Sequence, residues 1–122
     1  MKKVLIIDDD SESLTVISLI LSASGFVVNS TRDGNGVYDK IDSFKPDLIF
    51  LDVHLGSEYD GRIICNELKA NKKTKEVPVV LISASSHLDE VKKISNADDY
   101  ISKPFGIDDL IDMAKRYTSL RA

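Results

Sequence analysis

Three short runs constrain this chain most: Val4 to Ile7, "DLIFLD" at 47–52 and "VPVVLIS" at 77–83. Each is nearly unbroken in its apolar residues, and each ends at a polar or acidic residue. A strand with no alternation of apolar and polar side chains has to be buried on both faces, the environment of a parallel sheet covered by helices. The intervening sequence supplies those helices. Residues 12–24 carry apolar positions at Val16, Leu19, Ile20 and Ala23, and again at Leu14, Ile17 and Leu21. That predicts a helix with a broad buried stripe, capped by Asp10 or Ser11 and ended by Gly25. "FVVNS" reads as a second strand, and residues 35–43, with Val37 and Ile41, as a weaker helix. A helix over about 61–70 places Ile64, Cys65 and Leu68 on one side. Pro78 fits only near the start of the fourth strand. A short helix near 88–95, the strand "DYIS" and a last helix from 107 to about 119 follow, the last turning Ile107, Leu110, Ile111 and Ala114 inward. Strand and helix thus alternate five times. The expected fold is α/β: a flavodoxin-like, doubly wound (βα)5 sheet of five parallel strands in the order 2-1-3-4-5.

Composition narrows the function. A chain of 122 residues with 43% apolar content is one ordinary globular domain. Its net charge of −4 gives no electrostatic footprint for nucleic acid or an anionic membrane. Four apolar residues after Met1-Lys2-Lys3 are too few for a signal peptide or a membrane span. Cys65, the single cysteine, has no internal disulfide partner and fits core packing in a reducing cytoplasm. Lys72, Lys73 and Lys75 read as a solvated loop. His54 and His87 lack the cysteine or histidine partners of a zinc site.

In a doubly wound sheet, ligands bind at the carboxyl ends of the strands. Strand 1 ends in Asp8 and Asp9, strand 3 in Asp52, strand 4 in Ser83, and Lys103 follows strand 5. Like charges about 4 Å apart repel by roughly 4 kcal/mol at an effective dielectric constant near 20. Carboxylates grouped there therefore call for a positive partner. The oxygen-rich set suits a hard cation, Mg2+ or Mn2+. Asp52 beside such an ion is a candidate nucleophile toward phosphorus, Lys103 a compact charge for phosphoryl oxygens, and Ser83 a hydroxyl donor to them. Asp10 reads as a helix cap.

"VLIIDD", "PDLIFLDVHL", "DG", "VPVVLISA" and "ADDYISKPF" resemble the receiver domain of bacterial two-component response regulators, in the same order and across essentially the whole chain. The resemblance implies that Asp52 is the phosphoacceptor. It implies Asp9 and Asp52 as direct Mg2+ ligands, Asp8 acting mainly through water, and the backbone carbonyl of His54 as a third protein ligand. Ser83 and Lys103 would contact the phosphoryl group, and Tyr100 falls at the family's aromatic switch position. The implied activity is that of a signalling switch, not an enzyme. It would accept phosphate from a histidine kinase or phosphotransfer protein and alter binding to a downstream protein. A sharp turn that aims Lys103 back at the crevice, together with the resemblance, predicts a cis Lys103–Pro104 bond.

Three departures from the family pattern stand out. The loop from Asp52 to Gly61 is one residue longer. The segment between Ser83 and Lys103 is about two residues shorter. Asn96-Ala97 replaces Gly-Ala before the fifth strand. Three rival readings are weaker. An Asp-nucleophile phosphatase or phosphotransferase needs a second acid two residues after the nucleophile, where this chain has His54. A nucleotide or flavin binder needs a phosphate loop after strand 1, where "DDDSES" would repel phosphate. A receiver that serves only for docking would not need the full acid set. With the last helix ending about three residues before residue 122, the expectation is a receiver domain over 1–122 with no output domain.

Overall fold

Unbroken apolar segments occupy the interior of the sheet. In the computed structural model, which describes residues 1–55, 59–84 and 96–119, β1 (Lys3–Ile7) lies between β2 (Val27–Thr31) and β3 (Leu48–Asp52). Two-residue strands β4 (His54–Leu55) and β5 (Tyr59–Asp60) form a separate antiparallel hairpin. β6 (Val79–Ala84) and β7 (Asp99–Lys103) complete the main sheet in the order β2-β1-β3-β6-β7, with every neighbouring pair parallel. Counted within that sheet, this is the expected 2-1-3-4-5 topology.

The period-two geometry of the strands divides their side chains between two cores. Leu5, Ile7, Ile49, Leu51, Val79 and Leu81 pack on one face with α2 (Val37–Phe44) and α3 (Gly61–Ala70). Val4, Ile6, Leu48, Phe50, Val80 and Ile82 pack on the other with α1 (Ser11–Ala23) and the C-terminal helix (Ile107–Ser119). All twelve are fully buried. At about 1.5–3 kcal/mol per buried side chain, this two-sided burial is the main term opposing chain entropy. Cys65 is buried in the first core, and burial pushes its thiol up to about 11, so it is an inert packing residue.

Local signals set the helix ends. Asp10 caps α1, its carboxylate accepting from the Glu12 N–H at 3.1 Å, and Gly25 follows the helix at φ +96. Asp60 caps α3 in the same way through the Arg62 N–H. The fold corrects two expectations of inward-facing positions. On α1 only Leu14, Ile17 and Leu21 are buried, while Val16 and Leu19 are 51% and 66% exposed and Ala23 is exposed as well. One helix face can meet the sheet, and the second apolar stripe lies round the other side. On the C-terminal helix Leu110, Ala114 and Thr118 face the core, and Ile107, in the first turn, is 60% exposed. The helix expected near 88–95 and His87 lie outside the described residues. The β4–β5 hairpin was not expected, because two-residue strands leave no periodicity to read.

A network of polar contacts closes the amino end of the sheet. Lys69 on α3 pairs with Asp98, whose carboxylate also accepts from the Val79 N–H at 2.8 Å. The Tyr117 hydroxyl on the C-terminal helix donates to Asp99 at 2.7 Å. The opposite, carboxyl end carries the connections that leave the strands, including the β4–β5 hairpin.

Gly61 governs one of those loops. Its N–H donates to the Val53 carbonyl at 2.7 Å, and a Cβ placed on it would meet the Asp52 carbonyl oxygen at 2.1 Å. Backbone on backbone has no room to yield, so only glycine fits where the hairpin returns against β3. Gly61→Ala is expected to destabilise the chain by about 1–3 kcal/mol. Thermal melts followed by circular dichroism check this, and an unchanged melting temperature would show that the loop relaxes freely.

Candidate functional site at the carboxyl edge of the sheet

Register brings the site together. β1 pairs Ile7 with Leu51 on β3, so Asp8 and Asp52, each one residue further on, end their strands side by side. β3 pairs Asp52 with Ile82, and β6 pairs Ala84 with Lys103 on β7. Parallel strands in this register carry their carboxyl-terminal residues to one rim. Asp8 is fully buried and Asp52 is 7% exposed. Carboxylate oxygens of Asp8, Asp9 and Asp52 lie within 4.8 Å of one another, a group able to hold a metal ion. Three oxygen donors at that spacing suit a hard divalent cation that keeps part of its water shell.

Lys103 reaches into the group from β7. Its Nζ donates to Asp8 Oδ2 at 3.0 Å and to Asp52 Oδ2 at 3.4 Å. The Lys103–Pro104 bond is cis, as expected. Each carboxylate has a further anchor: the Asp10 N–H donates to Asp8 Oδ1 at 3.0 Å, and the His54 N–H donates to Asp52 Oδ1 at 3.1 Å. The hairpin thus has a chemical use, since it begins by aiming a backbone donor at Asp52.

Charge is not balanced by these contacts. Burial pushes the Asp52 carboxyl up to about 7, and the neighbouring Asp8 adds to the shift, against the His54 N–H and Lys103. Burial alone would lower the Lys103 ammonium, but its contacts with Asp8 and Asp52 outweigh that and raise it. One ammonium among three carboxylates leaves a net negative crevice. A divalent cation meets that need, and the residues present fit it.

The remaining sequence candidates are placed as follows. Ser83 is buried at the end of β6, its hydroxyl donating to the Ala84 carbonyl at 3.2 Å. Tyr100 is half-buried on β7 against the first core. The His54 side chain is exposed. Asp10 is the helix cap it was expected to be. Sequence reading missed Ser13, whose hydroxyl lies 3.3 Å from Lys103 Nζ. It also missed the packing of Tyr59 on Gly34, where a Cβ would stand 2.6 Å from the ring. The contact between Ser13 and Lys103 joins residues 90 apart, and the only local signal was Ser13's place in the first turn after a capping Asp.

A doubly wound sheet with an acidic crevice and one lysine at the carboxyl rim defines a class: a receiver-type α/β domain. Comparison with known proteins makes the assignment specific. Residues 4–115 match the response regulator receiver domain family, and the chain belongs to it. The DNA-binding dual master transcriptional regulator RpaA of Synechocystis is 33% identical over 113 residues, covering 91% of this chain and 46% of that protein. The chain therefore spans about half the length of that curated relative. The crystal structure of the receiver domain of NtrX from Brucella abortus superposes with a TM-score of 0.85 at 32% identity, covering 95% of this chain and 98% of that one. The signal receiver domain of a signal transduction histidine kinase from Syntrophus aciditrophicus superposes at 0.89 with 29% identity, covering 99% and 92%. Receiver domains bind Mg2+ in an acidic pocket and act as signalling domains with histidine kinases and effectors. Among the described residues no helix is long and apolar enough to cross a membrane.

The raised Asp52 carboxyl has a consequence for stability. In the folded, metal-free protein Asp52 holds its proton more tightly than in the unfolded chain. Its contribution is therefore fully present below about pH 4 and is lost as pH rises toward 7. Asp52→Asn, neutral at every pH, is expected to be more stable than wild type at pH 8 in chelator, by on the order of 1 kcal/mol. That advantage is expected to shrink as pH falls to 5, and to shrink at pH 8 when Mg2+ is added. Paired denaturant titrations read the difference, and a pH-independent gap would mean that Asp52 is not the repelled group.

Proposed function

We propose that this domain is a phosphorylatable switch, with Asp52 as the phosphoacceptor in a Mg2+-dependent transfer from a histidine kinase or phosphotransfer protein. The observation that carries the reading is the convergence of Asp8, Asp9 and Asp52 beside a lysine that contacts both buried acids. When bound, Mg2+ supplies charge compensation for the carboxylates and for the oxygens of the transferring phosphoryl group. Asp9 and Asp52 would hold it directly, with the His54 backbone carbonyl, and Asp8 through water.

The protein's own groups do the rest. An Asp52 carboxylate oxygen forms the new bond to phosphorus while the bond to the donor's nitrogen or oxygen breaks. The electron pair leaves with the donor, which takes up a proton. The His54 N–H holds the Asp52 carboxylate in place. Lys103 follows the charge from Asp52 onto the phosphoryl oxygens. The product is an acyl phosphate whose negative charge lies next to Ser83 and Lys103.

Readout follows from Ser83 and Tyr100. The Ser83 hydroxyl is turned to the Ala84 carbonyl. Reorienting it to the phosphoryl group would open space beside β6, into which the half-buried Tyr100 can move. Such a change is a population shift set by differential contacts. The partner is a downstream protein that reads the surface around β7 and the C-terminal helix. The net charge of −4 favours neither nucleic acid nor an anionic membrane as that partner, and the proposed location is the cytoplasm.

Two experiments test the proposal. Incubation with Mg2+ and a small phosphodonor is expected to add one phosphoryl group to the intact mass. Asp52→Asn is expected to take none, and Asp9→Ala to lose metal-dependent uptake along with most of its Mg2+ affinity by calorimetry. An undiminished adduct in Asp52→Asn would falsify the assignment. For the readout, amide hydrogen exchange with and without a phosphoryl mimic is expected to change over 84–105. Changes confined to the loops after β1 and β3 would sink the Ser83–Tyr100 step while leaving phosphorylation intact.

A further inference from the structure

Ser13 sits outside the acid set, yet its hydroxyl touches the lysine at the centre of it. It lies in the first turn of α1, half-buried, and donates to Asp10 Oδ2 at 2.9 Å. Asp10 is itself fixed as the helix cap by the Glu12 N–H. With its only proton given to Asp10, the Ser13 oxygen presents lone pairs to Lys103, whose Nζ donates to it at 3.3 Å. An ammonium has three donors, and Lys103 has three acceptors among the described residues: Asp8, Ser13 and Asp52. Two of these are carboxylates that the metal and the phosphoryl group would claim. Ser13 is the neutral member, held from behind by a helix cap, and it belongs to neither set.

We propose that Ser13 is a positioning residue for Lys103. As the carboxylates turn to other partners, Ser13 keeps the ammonium anchored to α1. The freed donors then point where phosphoryl oxygens arrive. The inference rests on the reading of Asp52 as phosphoacceptor and adds to it a residue outside the acid set. It also assigns a second use to Asp10, which orients Ser13 as well as capping the helix.

The test compares wild type, Ser13→Ala and Ser13→Thr. Alanine favours helix, so the variant keeps α1, and circular dichroism checks it. In Ser13→Ala the rate of phosphoryl uptake at saturating small phosphodonor is expected to fall about three- to tenfold, the scale of one lost hydrogen bond. The half-saturating donor concentration and the Mg2+ affinity are expected to stay unchanged, and Ser13→Thr to restore the rate. In the metal-free protein the Lys103 Nζ resonance, followed by nitrogen-15 NMR, is expected to shift in Ser13→Ala and return in Ser13→Thr. A helix-capping role alone would move the melting temperature and neither the saturating rate nor that resonance. Normal wild-type uptake with an unaltered Ser13→Ala rate, a loss that threonine does not restore, or an unmoved Lys103 resonance would each overturn the proposal alone. A wild type that takes up no phosphoryl group overturns the proposed function, and this inference with it.

Discussion

Two buried carboxylates at adjacent strand ends are the constraint around which the rest is arranged. Asp8 and Asp52 are neighbours because β1 and β3 are parallel and in register, and both strands are buried because helices cover both faces of the sheet. Placing two acids at such a point carries a desolvation cost that one lysine does not cancel, as the raised Asp52 carboxyl shows. The fold tolerates this because its stability lies elsewhere, in twelve fully buried strand side chains and in the polar network at the amino end of the sheet. An unbalanced site on an over-determined scaffold is a poised one: a cation or a phosphoryl group changes the electrostatics there without threatening the core.

The division of labour between the two sheet ends follows. At the amino end Lys69, Asp98, Asp99 and Tyr117 tie α3, β6, β7 and the C-terminal helix to one another through side chains. At the carboxyl end the two buried acids are held by single backbone N–H groups from Asp10 and His54 and by one long side chain, Lys103. With the amino end tied by these side chains, a charge change at Asp52 acts on the carboxyl-end contacts without touching those that join the strands at the other end.

Much of this was legible in the sequence. Short runs such as Val4 to Ile7 fit a strand buried on both faces, and their spacing by helical segments indicated the topology and with it one rim for Asp8, Asp9, Asp52, Ser83 and Lys103. What escaped has identifiable causes. Helix 1 carries two apolar stripes, and periodicity does not say which one meets the sheet, so Val16 and Leu19 were placed inward although they are exposed. Ile107 lies in a first turn, where the helix has barely reached the core. The β4–β5 hairpin is too short for any pattern, and its anchor on Gly61 is a close approach that shows only in three dimensions. Ser13 and Lys103 are related by the tertiary fold alone.

The placement of Lys103 carries the synthesis one step further. Its ammonium contacts α1 through Ser13, β1 through Asp8 and β3 through Asp52, and its backbone belongs to β7. One side chain therefore spans the sheet from its edge strand to its centre and touches the helix that begins after β1. Any ligand that draws the ammonium away from Asp52 changes the balance of forces on β7, the strand that also carries Tyr100. In the proposed switch this would be a second link between chemistry at β3 and the surface at β7, beside the Ser83–Tyr100 step. It is present in the length of a lysine, and the directions open to that lysine are set by which of its three acceptors remains.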